Sequence, residues 1–167
     1  MITDNLIKVS SKQRNSKMCF ICGMDNPQGL KAPFYNMEDG SVMTKFKYTP
    51  LHQSFPQRVH GGLISTMLDE LACRAYWVKD ELVMGATLSM EVKFRKPVPY
   101  DEYILGRGIV VNDSSKFFTS EVQIMDLQHN ILSNATVKYI KLPPEKIADA
   151  DFHVEMCYLI EDGIKEL

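Results

Sequence analysis

The stretch HGGLISTMLDEL, residues 60–71, places two glycines at the start of a helical pattern and two acids in its middle. Glycine weakens a helix and acids are expensive to bury, so folding alone gives little reason for this choice. Chemistry gives one. The first N–H groups of a helix lack internal partners, and the macrodipole makes that end roughly half a unit positive, so a polarised carbonyl oxygen settles there. Gly61 and Gly62 have no side chain to block approach, which makes their amides candidate oxyanion donors. The plainer reading is that they let the loop turn and the helix pack closely.

Asp69 follows Gly62 by seven residues and points almost the same way around a helix, together with Ser65 and Thr66. A carboxylate there suits a general base or a nucleophile. Glu70 is the rival acid, turned about 100° away. Seven residues span roughly 10 Å of helix axis, too far for one carbonyl to touch both groups of one copy. A twofold dimer with antiparallel central helices brings Asp69 of one copy to Gly61 and Gly62 of the other. The expected assembly is therefore a homodimer with two equivalent interface sites, able to pair again as a dimer of dimers.

The elements that must hold these groups follow from periodicity. Ile64, Met67, Leu68, Leu71, Ala72 and Ala75 have the spacing of a buried helical face. Before them, KAPFYNM and SVMTKFKY read as strands joined by a hairpin turn at Asp39-Gly40, and PLHQSFPQRV reads as a loop. After them, ATLSMEVKF alternates Ala86, Leu88, Met90, Val92 and Phe94 against Thr87, Ser89, Glu91 and Lys93, a half-buried strand. Three further strand runs, YILGRGIVV, KFFTSEVQIM and ILSNATVKYI, are separated by short turns that favour antiparallel neighbours. The expectation is an α+β fold, one antiparallel sheet wrapped around one long central helix. Residues 1–18 read as a loose arm or a short first helix, 19–142 as the domain, and 143–167, beyond Pro143-Pro144, as a helical tail.

With 167 residues the chain fits one domain, and 19 basic against 21 acidic residues leave a net charge of −2. No basic field exists to hold nucleic acid. No apolar run resembles a signal peptide or approaches the roughly 20 residues of a membrane span, so a soluble, cytoplasmic protein is expected. In that compartment Cys19, Cys22, Cys73 and Cys157 are expected as thiols. Cys19-x-x-Cys22 is half of a zinc site with no second pair in the sequence, so no metal is expected.

HGGLISTMLDE on the helix and SMEVKFRKPVP on the following strand resemble the hotdog-fold acyl-CoA thioesterases of the PaaI-like, 4-hydroxybenzoyl-CoA thioesterase superfamily, over roughly residues 18–142. The leader CFICGMDNPQGLKAPF is similar to a segment that precedes the sheet in a subset of these proteins. The resemblance implies hydrolysis of an acyl-CoA thioester without a cofactor, with Asp69 as general base or nucleophile and the amide of Gly61, with Gly62, polarising the carbonyl. It implies a positioning role for His60, and a water-orienting role for Thr87 on the next strand, although the alternation there turns Thr87 away from the helix. Where many members carry Asn or Gln in the preceding loop, this chain has Ser54, with Gln53 adjacent. Arg95, Lys96 and Lys116 are candidates to meet the phosphates of coenzyme A. Two other functions stay open: an acyl-CoA-binding protein without hydrolysis, and a hydroxyacyl-thioester dehydratase that would draw on His52 and His60.

Overall fold

The computed structural model describes residues 6–167. Strands β1 (Val9–Lys12), β2 (Tyr35–Met37) and β3 (Val42–Phe46) precede the central helix α1 (Gly61–Trp77), and four long strands follow it: β4 (Met84–Phe94), β5 (Ile104–Asp113), β6 (Phe117–Met125) and β7 (Ile131–Leu142). They form one seven-stranded sheet in the order β1-β2-β3-β5-β6-β7-β4, every neighbouring pair antiparallel. This is the α+β hotdog arrangement that the resemblance implies.

The helix lies in the curve of the sheet because its apolar face matches the sheet's inner face. Met67, Leu68, Leu71 and Ala72 are fully buried against Val122, Ile124, Ala135, Val137 and Tyr139 of β6 and β7. Two glycines of β5 set how close it comes. A methyl group at Gly106 would sit 2.9 Å from the Leu71 side chain, and one at Gly108 would sit 3.1 Å from the Leu71 carbonyl oxygen. Any larger residue there would lift α1 off the sheet. The hairpin turn falls at Asp39-Gly40, with Gly40 at φ 81°, the left-handed region glycine tolerates.

Both chain ends depart from expectation. Within residues 6–18 the arm is neither loose nor helical: β1 pairs with β2, and Gln13, Asn15 and Ser16 are buried; residues 1–5 lie outside the described residues. The tail is mostly extended. It contains two one-turn helices, α2 (Pro144–Ile147) and α3 (Phe152–Glu155), and then runs back along the arm. There the Ile7 amide donates to the Leu167 carbonyl at 2.8 Å, and Asn15 and Tyr158 exchange amide bonds. Composition missed this because each segment is polar alone and gains its partners only from the other. The tail thus covers the outer edge of β1. At the opposite side of the sheet, β4 pairs only with β7 among the described residues, leaving eleven residues of open edge that expose Leu88 (52%) and Phe94 (56%). Among the described residues no helix is long and apolar enough to cross a membrane.

Candidate active site

His60 starts α1 in extended backbone, and its Nδ1 accepts the amide of Gly62 at 2.9 Å. The Leu63 and Ile64 amides both point to the His60 carbonyl, at 3.0 and 3.1 Å. Gly62 is therefore spent on the cap, and the N–H of Gly61 is the donor left at the helix start. A side chain at Gly61 would contact the Phe94 ring at 3.4 Å, so the end of β4 brings an aromatic ring against this residue.

Two turns further on, Oδ1 of Asp69 accepts from the Thr87 hydroxyl and the Tyr139 hydroxyl, each at 2.9 Å. Tyr139 also lies 2.7 Å from the Asp69 carbonyl oxygen. Burial, reinforced by the Asp69 charge, pushes the Tyr139 phenol well above its ordinary pKa, so it stays a donor. Oδ1 is fixed from two sides, and Oδ2 has no donor among the described residues. A carboxylate held by one oxygen with the other free is arranged to take a proton or to attack.

The position of Thr87 corrects the alternation. Pairing with β7 runs Thr87↔Tyr139 and then Ser89↔Lys138, so Leu88 is an extra residue in β4. That bulge inverts which parity faces inward. Gly85 and Thr87 share the inner face with Tyr139, and beyond the bulge Met90 and Val92 share it with Val137 and Ala135. Leu88, expected in the apolar row, points out to solvent.

Around Gly61 the structure assembles a hollow of about 370 Å³ lined by Ser54, Arg58, Phe94, Arg95 and Lys96, with apolar Val59 and Ile64 beneath. Ser54, Arg95 and Lys96 thus meet at the helix start, and Arg58, which the sequence reading missed, joins them. Arg95 is partly committed, donating to Asn134 at 2.6 Å. Gln53 is drawn away, accepting from the Tyr100 hydroxyl at 3.0 Å. Lys116 lies outside this hollow, in the turn before β6, where its carbonyl accepts the Lys141 amide. Glu70 is turned away from Asp69 around α1 and pairs with the buried Arg74 at 2.8 Å. His52 holds the preceding loop, its Nδ1 accepting the Thr49 amide at 2.9 Å.

Tyr139 and Phe94 were also missed, although both are plain in the sequence. Nothing local marks a tyrosine on the last strand as the partner of an acid seventy residues earlier.

A model of the thioesterase superfamily matches residues 57–132, which include α1, the bulge and the lining of the hollow apart from Ser54 and Phe55. The acyl-coenzyme A thioesterase THEM4 of Rattus norvegicus is 31% identical over 122 residues, 69% of this chain and 49% of the relative. The bovine THEM4 is 27% identical over 148 residues, 83% of this chain and 57% of the relative. The chain therefore spans about half the length of the curated relatives it matches. Among solved structures, the Escherichia coli PaaI protein from the phenylacetic acid degradation operon aligns with a TM-score of 0.61 at 14% identity, over 68% of this chain and 80% of that one. Zebrafish thioesterase superfamily member 2 aligns with a TM-score of 0.60 at 16% identity, over 66% and 80%. At such identities the likeness carries the fold.

Proposed function

We propose that this protein, whose residues 57–132 match the thioesterase superfamily, hydrolyses acyl-CoA thioesters, at sites that each combine Asp69 of one protomer with the Gly61 amide of another. The observation that carries this reading is the Asp69 carboxylate, tethered on Oδ1 by Thr87 and Tyr139 and free on Oδ2, beside an uncovered strand edge. Gly61 and Asp69 are eight residues apart, about 12 Å along one helix, so a single copy cannot bring them to one carbonyl. Pairing of open β4 edges about a twofold axis would supply the second copy and bury Leu88.

In the reaction, the thioester oxygen accepts from the Gly61 N–H while Oδ2 of Asp69 takes a proton from water as it attacks the carbonyl carbon. The tetrahedral intermediate collapses, the C–S bond breaks, and the thiolate of coenzyme A leaves with a proton. In the alternative route Asp69 attacks first and water opens the resulting anhydride. Neither route needs a cofactor. Arg58 and Lys96 flank the hollow and suit the phosphates of coenzyme A, while Val59, Ile64 and Phe94 suit the first acyl carbons.

The test is release of free coenzyme A from short, medium, long and aromatic acyl-CoAs, with Asp69→Asn as control and the protein's own thiols subtracted. Turnover lost in the variant supports hydrolysis. Acyl-CoA that binds without turnover would replace the enzyme with a binding protein.

A further inference from the structure

On the flank of α1 away from Asp69, the arm presses a second group of reactive side chains against the helix. The Sγ atoms of Cys19 and Cys22 and a carboxylate oxygen of Glu70 all lie within 4.8 Å of one another. The turn that carries the thiols is tightly built. The Gly23 amide donates to the Cys19 carbonyl at 2.7 Å, and a methyl group at Gly23 would fall 2.3 Å from that same oxygen, so only glycine fits. Asn15 anchors the Cys22 carbonyl at 2.8 Å, and the Ser16 hydroxyl contacts Cys22 Sγ at 3.3 Å. Beneath lies Arg74, 1% exposed, its guanidinium between the Phe34 and Trp77 rings at 4.4 and 4.7 Å. Its Nε is paired with Glu70, its Nη1 with Gln13 and the Arg14 carbonyl, and its Nη2 is buried without a partner among the described residues.

This set fits thiol chemistry better than a metal. It offers three ligands where a structural zinc takes four, Glu70 is already committed, and a buried guanidinium repels a divalent cation. The same guanidinium favours a thiolate. Donation from the Cys19 thiol and the field of Arg74 place the pair's first negative charge on Cys22, whose pKa falls to about 6. By contrast, burial pushes Cys73 up to about 12.

We propose that Cys19 and Cys22 are a redox-active dithiol that a hydroperoxide converts into an intramolecular disulfide. The Cys22 thiolate attacks the terminal peroxide oxygen, the O–O bond breaks, hydroxide departs from hydrogen peroxide (alkoxide from an alkyl hydroperoxide), and Cys22 becomes a sulfenic acid. Cys19 sulfur then attacks Cys22 sulfur, the S–S bond forms as the S–O bond breaks, and the departing hydroxide takes the Cys19 proton as water. Two electrons pass from the thiols to the peroxide. Cys19, half-buried, lies on the solvent side of the pair, and Cys22, 1% exposed, is shielded from bulkier reagents.

The experiment treats the reduced full-length chain with a small excess of hydrogen peroxide and follows the tryptic peptide 18–31 by mass spectrometry. Its readout is independent of whether the chain hydrolyses thioesters. The expected result is a loss of two mass units in that peptide, reversed by dithiothreitol, at a rate at least tenfold above oxidation of the exposed Cys157. In Cys19→Ser the reaction stops at a Cys22 sulfenic acid, which dimedone traps when it is added together with denaturant after the peroxide has been removed. Two free thiols persisting at 19 and 22 after Cys157 has oxidised would overturn the proposal. So would stoichiometric zinc in the purified protein that blocks alkylation of the pair until it is chelated.

Discussion

The carboxylate of Asp69 has its two oxygens in different circumstances, and each variant at the site reads one of them. Asp69→Asn keeps the size and the Thr87 and Tyr139 contacts but removes the base, and kcat should fall by about 10² to 10⁴ with little change in stability. Tyr139→Phe keeps the stack on Phe118 and removes one tether of Oδ1, so kcat should drop while KM holds, together with a stability loss of about 1 kcal/mol in urea melts. Gly61→Pro is the sharper test of the oxyanion donor. Position 61 opens the helix, where proline is tolerated, and His60 before it already has the extended backbone proline demands, φ −64° and ψ 134°. The variant should keep the circular dichroism spectrum and lose about 10² to 10³ in kcat as the N–H is removed, while Gly61→Ala, which keeps the N–H and adds a methyl group 3.4 Å from the Phe94 ring, controls for the added bulk and should lose far less.

At the scale of elements, a cap and a bulge decide where these groups point. His60 caps α1 through Nδ1, so His60→Ala should lower unfolding free energy by about 1 kcal/mol, and His60→Asn should recover most of it, as chemical denaturation would show. The bulge at Leu88 has no local signature, since Thr-Leu-Ser reads as ordinary alternation. It arises in the register with β7, where two residues of β4 oppose one step of the partner. This is why the strand itself was legible and the direction of Thr87 was not. The helix, by contrast, was read with its buried face intact, because all six apolar positions lie within twelve residues and each turn repeats the same signal.

For the whole molecule, the decisive prediction concerns shared sites. If Gly61 and Asp69 act from different protomers, Asp69→Asn and Gly61→Pro chains refolded together should recover about a quarter of wild-type activity, since half the dimers are mixed and each mixed dimer holds one intact site. Sites built within one chain would recover none. The joined chain ends give a second prediction. Asp162 of the tail accepts from Lys12 and Tyr35 of the arm and β2. Burial raises its pKa, but those two hydrogen bonds outweigh burial and leave the group below the usual carboxylate value. The stability it adds is present above the unfolded carboxylate pKa and is lost as pH falls through the lower folded value. Asp162→Asn should therefore melt below wild type at pH 7, and the gap should close as the pH is lowered past about 4.

The sequence by itself determined the long helix and its buried face, the hairpin at Asp39-Gly40, the sheet-forming runs, and the pairing of a glycine-started helix with an acid on the same side. These are repeats of local geometry, written within a turn or a few strand residues. The tertiary structure alone decided that the arm is a strand and the tail its extended partner, that the Gly62 amide is spent on His60, that Thr87 and Tyr139 hold one oxygen of Asp69, and that Cys19 and Cys22 lie against Arg74. Each of these joins residues far apart in the chain or depends on a one-residue shift in register. Such contacts are selected by the packing free energy of the whole sheet on its helix, a quantity no short stretch of sequence contains.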